Sequence, residues 1–128
     1  MSHFVTIHTQ IRDIDALRDA CGELGLALLQ DSTARGFATQ STPGQYVVRL
    51  KGPYDIALNR ASASEPFVLT TDWWDGHVAK EVGVGYGRLL QAYGIHKTFR
   101  EAHARGLRAT RRLEADGSVL VTLEGGAL

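Results

Sequence analysis

The stretch DWWDGHVAKEVGVGYGRLLQAYGIHKTFREAHARG, residues 72–106, decides the fold, because it holds both tryptophans and the longest helical pattern in the chain. Apolar side chains recur in it at spacings of three or four, at Leu89, Ala92, Ile95, Phe99 and Ala102. This spacing aligns them along one face of a helix. We therefore predict one continuous helix over 88–105 whose Leu89, Ala92, Ile95 and Phe99 contact a sheet.

The segments before this helix predict strands around one shorter helix. Residues 4–11 alternate between apolar and polar side chains, as in a strand with one face toward a core. Asp13 is placed to cap a helix that begins at Ile14 and ends before Gly25, a glycine suited to a left-handed C-cap. Further strands are predicted over 26–29, 46–51, 54–60 and 67–71, with a loop or ragged hairpin over 31–44.

Residues 107–113 and 119–123 alternate on either side of Asp116-Gly117, a hairpin signal. Consecutive strands with short turns pair antiparallel, and helices cover the apolar face of such a sheet. The predicted fold is α+β, a two-layer sandwich with a mainly antiparallel sheet of about five to seven strands and two main helices on one face. With 128 residues we expect a single domain over 1–128.

The composition argues against several classes of protein. The 14 basic and 14 acidic side chains cancel, so a nucleic-acid partner is not expected. No apolar run approaches the roughly 20 residues of a membrane helix, and the first residues lack the features of a secretory signal. The lone Cys21 fits a reducing compartment. We expect a cytoplasmic protein that contacts no membrane.

The adjacent Trp73 and Trp74 form the most distinctive dipeptide. Neighbouring rings in an extended segment point to opposite faces, so one ring is expected in the core and the other at the surface. An exposed tryptophan is typical of the centre of a protein interface. We predict such an interface around the more exposed ring, with Asp72, His77 and Tyr86 nearby.

A metal site is a second interpretation of the same region. Asp72, Asp75 and His77 form the pattern D-x-x-D-x-H, which together with His96 or His103 could bind a divalent metal. Capping aspartates and a hydrogen-bonded histidine explain the pattern equally. No strong metal spacing is matched, and we expect no metal and no cofactor.

A phosphate site is a third interpretation, at Gly83–Gly87. Glycines followed by a helix N-terminus, here at Arg88, allow backbone N–H groups to approach an anion. However, Arg88 occupies the last glycine position of G-x-G-x-x-G, and no strand leads directly into the loop. Close packing of the loop accounts for the same glycines.

No catalytic residue is predicted. Cys21 shares an apolar helical stripe, where a cysteine acts as a small hydrophobe. Serines fall mainly in predicted loops, without a nucleophile elbow. Because no acid, base and nucleophile occur together at a recognisable spacing, an enzyme is disfavoured. A basic cluster, suited to phosphate, to an acidic protein or to a solvated strand edge, consists of His103, Arg105, Arg108, Arg111 and Arg112.

Five segments carry a resemblance to a known family: MSHFVTIHTQIRD, LKGPYDIALNR, TTDWWDGHVAKEVG, YGRLLQAYGIHKTFREAHARG and DGSVLV. In this order they resemble the conserved hypothetical chloroplast reading frame thirty-five of algal plastids and cyanobacteria, part of a wider bacterial family of unknown function. The resemblance implies no catalytic residue and no cofactor. Bacterial members accompany AAA-type ATPases and another very small uncharacterised protein, which implies a shared complex. Plastid relatives are expected in the stroma.

The predicted function is that of a small cytoplasmic accessory or adaptor protein that acts through a protein partner, an AAA-type ATPase by resemblance. The alternative is a small-ligand, nucleotide or metal-binding protein with a site around 72–77, 83–87 and His96. The candidate residues for one or the other are Asp72, Trp73, Trp74, His77, Tyr86, Arg88 and His96.

Overall fold

The computed structural model describes residues 4–125 and has an α+β architecture. Single 3₁₀ turns at Trp74–Gly76 and Val84–Tyr86 lie before and after a short helix at Ala79–Val82. In chain order the strands and helices are β1 Phe4–His8, α1 Ile14–Glu23, β2 Ala27–Arg35, β3 Ser41–Arg49, β4 Ile56–Asn59, β5 Val68–Asp72, α2 Ala79–Val82, α3 Gly87–Ala104, β6 Arg108–Leu113 and β7 Val119–Glu124.

Two antiparallel sheets contain these strands. The main sheet has the order β1-β5-β4-β3-β2, and β6 pairs with β7 in a separate two-stranded hairpin. The predicted fold class is therefore confirmed, with five strands in one sheet and two in the other. No helix among residues 4–125 has the length and apolar character needed to span a membrane.

Helices α1 and α3 share one face of the main sheet. Side chains of α1 and α3, among them Leu17 and Leu89, form one buried cluster with Ile56, Leu58 and Leu69 of the central strands. Burial of each such side chain contributes about 1.5–3 kcal/mol. The core of the domain therefore lies between the sheet and the two helices.

The ends of α1 follow the predicted capping. The Asp13 carboxylate accepts hydrogen bonds from the backbone N–H groups of Asp15 at 3.0 Å and Ala16 at 3.1 Å. Gly25, which follows the helix, has a φ of +73°. Both caps satisfy polar groups that a helix end otherwise leaves unpaired.

Of the two predicted alternatives for 31–44, a loop or a ragged hairpin, the hairpin is confirmed: most of the segment belongs to a long β2–β3 hairpin with a turn only at residues 36–40. Pro43 and Gly44 are tolerated in β3 because β4 pairs only with Tyr46–Val48, so β3 has a single strand partner before that point. A Cβ at Gly44 would lie 2.5 Å from the backbone oxygen of Tyr46, so only glycine fits here without a shift of the backbone.

The tip of this hairpin curls toward the far edge of the main sheet. A Cβ at Gly36 would lie 2.5 Å from the Phe4 ring of β1, and the Phe37 N–H donates to Asp72 at the end of β5. On the sheet face opposite the helices, Ala34 packs in a second small cluster with Val47. The tip of the hairpin therefore reaches β1 and the end of β5, where Gly36 and Asp72 meet.

The predicted contact of Phe99 with the sheet is wrong. The buried side chains of α3 are Leu89, Ala92, Tyr93, Ile95 and Ala102, of which Leu89, Ala92 and Tyr93 belong to the core cluster that contains the sheet. Ile95, also predicted to contact the sheet, is buried outside that cluster, and Phe99 is half-buried and outside it too. The second half of α3 lies alongside α1 and β6 instead of over the sheet. Ion pairs join it to α1 there. Tyr93 contributes to the core instead of Phe99. Its hydroxyl accepts hydrogen bonds of 3.1 Å from the backbone N–H groups of Arg12 and Asp13.

Candidate functional site

Asp72 is a buried carboxylate at the end of β5 that joins two distant segments. Its Oδ2 accepts a hydrogen bond of 2.9 Å from the N–H of Phe37, and its Oδ1 accepts one of 2.9 Å from the N–H of Trp74. Its side chain is fully buried. Buried carboxylates need such donors, because desolvation of an unpaired charge is costly. Asp72 is therefore placed to hold the backbone rather than to meet a ligand.

The two tryptophans differ in burial, as expected. Trp73 packs against the core, with its ring 4.8 Å from that of Tyr86 in an edge arrangement, whereas Trp74 is 38% exposed. The reason differs from the predicted alternation of a strand. β5 ends at Asp72, and Trp73 has φ −83° and ψ 7°, so a turn rather than an extended backbone separates the rings.

Tyr86 lies beneath Trp73 rather than at the surface. It is fully buried, and burial raises the pKa of its phenol. Its hydroxyl has no hydrogen-bond partner among residues 4–125. A φ of +63° at a bulky residue indicates local backbone strain at the start of α3. Tyr86 supports the Trp73 ring and does not itself form a surface.

Phe37 and Trp74 form an exposed aromatic pair. Their ring centroids lie 6.3 Å apart with an interplanar angle of 76°, and Phe37 is 37% exposed. Phe37 was not among the residues predicted from the sequence, although a lone aromatic residue in a polar, glycine-containing stretch was a signal. Edge-to-face packing stabilises the two rings against each other, by about 0.5–1.5 kcal/mol. The pair is the exposed aromatic surface nearest to the predicted interface.

His77 lies beside this region without joining a metal site. Its ring packs edge-on against Tyr54 at 5.1 Å, and its Nε2 lies 3.8 Å from Oδ2 of Asp75. Desolvation is the main cause that raises the pKa of Tyr54, and the negative charges of Asp72 and Asp75 raise it further. Across residues 4–125, no group of three or more His, Cys, Asp or Glu side chains is arranged to hold a metal ion.

The glycine loop before α3 is closely packed. A Cβ at Gly83, whose φ is +86°, would lie 2.8 Å from the backbone N of Arg88. The Arg88 guanidinium donates to the backbone carbonyls of Glu81 at 3.0 Å and Lys80 at 3.4 Å. Arg88 therefore caps the C-terminal end of α2, and close packing accounts for the glycine in the loop.

His96 lies at a different junction. Its Nε2 is 2.8 Å from Oε1 of Glu23, and the Arg111 guanidinium is 2.8 Å from the same oxygen. Burial raises the pKa of Glu23, but hydrogen bonds from His96 and Arg111 outweigh it and lower the pKa overall. Glu23 thus connects α1, α3 and β6, and His96 takes part in that connection rather than in a site with Asp72.

A buried ion network around Asp55 was not predicted from the sequence. Asp55 is fully buried and accepts two bonds of 2.8 Å from the Arg35 guanidinium, with further bonds from the backbone N–H groups of Arg35 and Leu50. Nε of Arg49 lies 3.2 Å from Oδ2 of Asp55 but forms no hydrogen bond. A charged residue in the otherwise apolar run YDIAL was the available signal.

Cys21 is buried in α1, as expected for a small hydrophobe. Burial raises the pKa of its thiol to about 11, so the thiol stays protonated at neutral pH. A protonated, inaccessible thiol is a poor nucleophile.

Comparison with known proteins gives two matches. A sequence model of the family described as "Protein of unknown function (DUF1257)" matches residues 20–122. The chain is also similar to the "Uncharacterized protein ycf35" of Guillardia theta, with 23% identity over 126 residues that cover 97% of each chain. No solved structure matches the chain. Both matches confirm the resemblance that the sequence segments carry.

Proposed function

The chain belongs to the family of proteins of unknown function DUF1257, and from that premise we propose that it is a small accessory or adaptor protein that acts by binding another protein. The observation that carries this proposal is the exposed aromatic pair Phe37 and Trp74. Tryptophan and other aromatic side chains are enriched at the centres of protein interfaces, where they supply large contact areas.

The aromatic pair is held in place before any partner binds. The Asp72 carboxylate holds the backbone of both residues, because it accepts one hydrogen bond from the N–H of Phe37 and one from the N–H of Trp74. A surface that is already ordered loses less conformational entropy on association. This rigidity favours a docking role over a loop that orders only on binding.

The residues of the alternative ligand site are engaged within the chain. Asp72 and Tyr86 are fully buried, and the Arg88 guanidinium donates to backbone carbonyls. His96 is paired with Glu23. A ligand would have to break these contacts, so the arrangement supports an adaptor rather than a small-ligand, nucleotide or metal-binding protein.

The proposed partner class is an AAA-type ATPase, which the family resemblance suggests. We place this binding in the cytoplasm, or in the stroma for plastid relatives. A single, buried cysteine is in keeping with a reducing compartment.

Affinity purification of the tagged chain from its native host, followed by mass spectrometry, tests the proposal. We expect wild-type protein to retain a defined partner and Trp74→Ala to lose it, while Leu120→Ala, a matched change at another exposed apolar residue, retains it. Retention of the same partner by Trp74→Ala and by Phe37→Ala would overturn the assignment of this surface. A retained partner other than an ATPase would overturn the partner class alone.

A further inference from the structure

A groove of about 690 Å³ separates α3 from the start of β6. Its apolar lining consists of Phe99, Ala104, Leu107 and Ala109. Phe99 and Leu107 are large side chains left half-buried and outside both core clusters. Residues 4–125 therefore cover the groove incompletely. Neither Phe37 nor Trp74 lines the groove, so the groove and the aromatic pair are separate surfaces.

Basic side chains are concentrated near the groove in a chain with no net charge, with five arginines and one glutamate between residues 100 and 112. Of these, Arg100 and Arg108 line the groove, together with the carboxylate of Asp19. Arg100 lies in a close ion pair with Asp19. By contrast, the side chains of His103 and Arg105 have no hydrogen bond or ion pair within the described part of the chain, and Arg108 is 3.9 Å from Glu124.

Arg108 is the basic group best placed to meet an anion at this groove. It lines the groove, and its side chain is 76% exposed. At 3.9 Å the Glu124 carboxylate neutralises it only loosely, since a close pair of this kind lies nearer 2.8 Å. His103 also lines the groove.

We propose that the α3–β6 groove binds an acidic segment of a partner protein that places a large apolar side chain against Phe99 and a carboxylate near Arg108. Apolar lining beside a basic rim is complementary to a segment that carries both features. The segment inserts between a helix and a strand, so its apolar side chain covers the surface that Phe99 and Leu107 leave open.

A peptide segment fits this groove better than two other kinds of ligand. Small molecules are held in clefts that bury most of their surface, whereas this groove is open along α3. Nucleic acids bind by contacts with several phosphates. Here Arg100 and Arg111 already bind carboxylates of α1, which leaves few cations for a phosphate backbone.

A labelled acidic peptide tests the proposal with the full chain. The probe carries two leucines one helical turn apart, flanked by glutamates, and its dissociation constant is measured by fluorescence anisotropy. We expect Arg108→Glu to weaken binding about tenfold. Arg112→Glu is the matched control, since Arg112 lies on the same face of β6 but does not line the groove. It should change the constant by less than about twofold.

Two further variants test the apolar part. Phe99→Ala should weaken binding, with circular dichroism to show that it folds. Ala104→Trp keeps every core side chain and fills the groove, because Ala104 is exposed and lines it. It should also abolish binding. A probe with alanine in place of leucine, or glutamine in place of glutamate, should bind more weakly than the original.

Several results would overturn the proposal. Equal losses in Arg108→Glu and Arg112→Glu would indicate diffuse attraction to basic charge. Equal binding of the alanine-substituted probe would show that the apolar lining is not used. Tighter, Arg108-dependent binding of a single-stranded RNA oligonucleotide would make the groove a nucleic-acid surface. Full binding by Ala104→Trp would place the peptide elsewhere. None of these results depends on Trp74, so they are separable from failure of the aromatic interface.

Discussion

The carboxylate of Asp72 accepts a hydrogen bond of 2.9 Å from the backbone N–H of Phe37, 35 residues earlier in the chain. Its other oxygen accepts from the N–H of Trp74, so one buried side chain sets the position of both exposed aromatic rings. A partner at this surface would therefore depend on a residue that it cannot touch. The stability of the fold and the shape of the proposed interface are coupled at this point.

Asp72→Asn should lower the free energy of unfolding by about 1–3 kcal/mol, because the amide leaves one backbone N–H without its acceptor. Asp72→Ala should cost more, since both acceptors are lost. Urea denaturation measures the effect. The control is Glu65→Ala, a change at an exposed loop residue. It should change the free energy of unfolding by less than about 0.5 kcal/mol. Equal stability of Asp72→Ala and Glu65→Ala would show that the two hydrogen bonds do not hold the turn.

Replacement of each tryptophan should separate folding from binding. Trp73→Ala should destabilise the fold by about 3 kcal/mol, the low end for a large aromatic side chain because the ring is only half-buried. Trp74→Ala should leave the melting temperature nearly unchanged and weaken the native complex by about 2 kcal/mol, as for an interface hot spot. Thermal melts and partner affinity measure the two effects. If both variants unfold, both tryptophans belong to the core and the interface lies elsewhere.

Gly36→Ala should destabilise the fold by about 1–3 kcal/mol, because the added Cβ would lie 2.5 Å from the Phe4 ring. Gly94→Ala is the control, since a Cβ there meets nothing within 4 Å on the exposed side of α3. It should stabilise the helix by about 0.5–1 kcal/mol. In the double variant Gly36→Ala with Phe4→Ala, the two costs should be less than additive. Full additivity in denaturation experiments would contradict the contact.

Asp55 should contribute to acid denaturation. Burial raises its pKa, but hydrogen bonds from Arg35 and from the N–H of Leu50 outweigh burial and hold the pKa below the ordinary value of 3.8. A lowered pKa in the folded state means that the stabilisation is fully present above the unfolded pKa and is lost as the pH falls through the folded value. The loss attributable to Asp55 should therefore occur below about pH 4.

Asp55→Asn measures this contribution. At pH 7 it should cost about 3 kcal/mol, at the low end for a buried ion pair because the Arg35 side chain is partly exposed. Denaturation curves between about pH 5 and pH 2 should show the gap between wild type and Asp55→Asn narrowing as the pH falls. A gap that stays constant across this range would mean that the Asp55 charge does not stabilise the fold.

Local features of the sequence determined most of the secondary structure. The Asp13 cap, the left-handed Gly25, the helical stripe of α3 and the β6–β7 hairpin were predictable, since each depends on residues a few positions apart. The fold class followed from the order of these elements. The family resemblance followed from segments spread over the chain, and the comparisons confirm it.

The tertiary structure decided where the candidate residues meet. The contacts of Phe37 with Asp72, Gly36 with Phe4, and Glu23 with His96 and Arg111 join residues far apart in the chain. The curl of the β2–β3 hairpin and the orientation of α3 create these contacts. Both result from side-chain packing and from the pairing of buried charges across the whole domain, and the spacing of residues along one segment carries no record of either. For this reason the sequence alone predicted an interface at the more exposed of the two tryptophans, while only the fold identified that ring as Trp74 and placed Phe37 beside it.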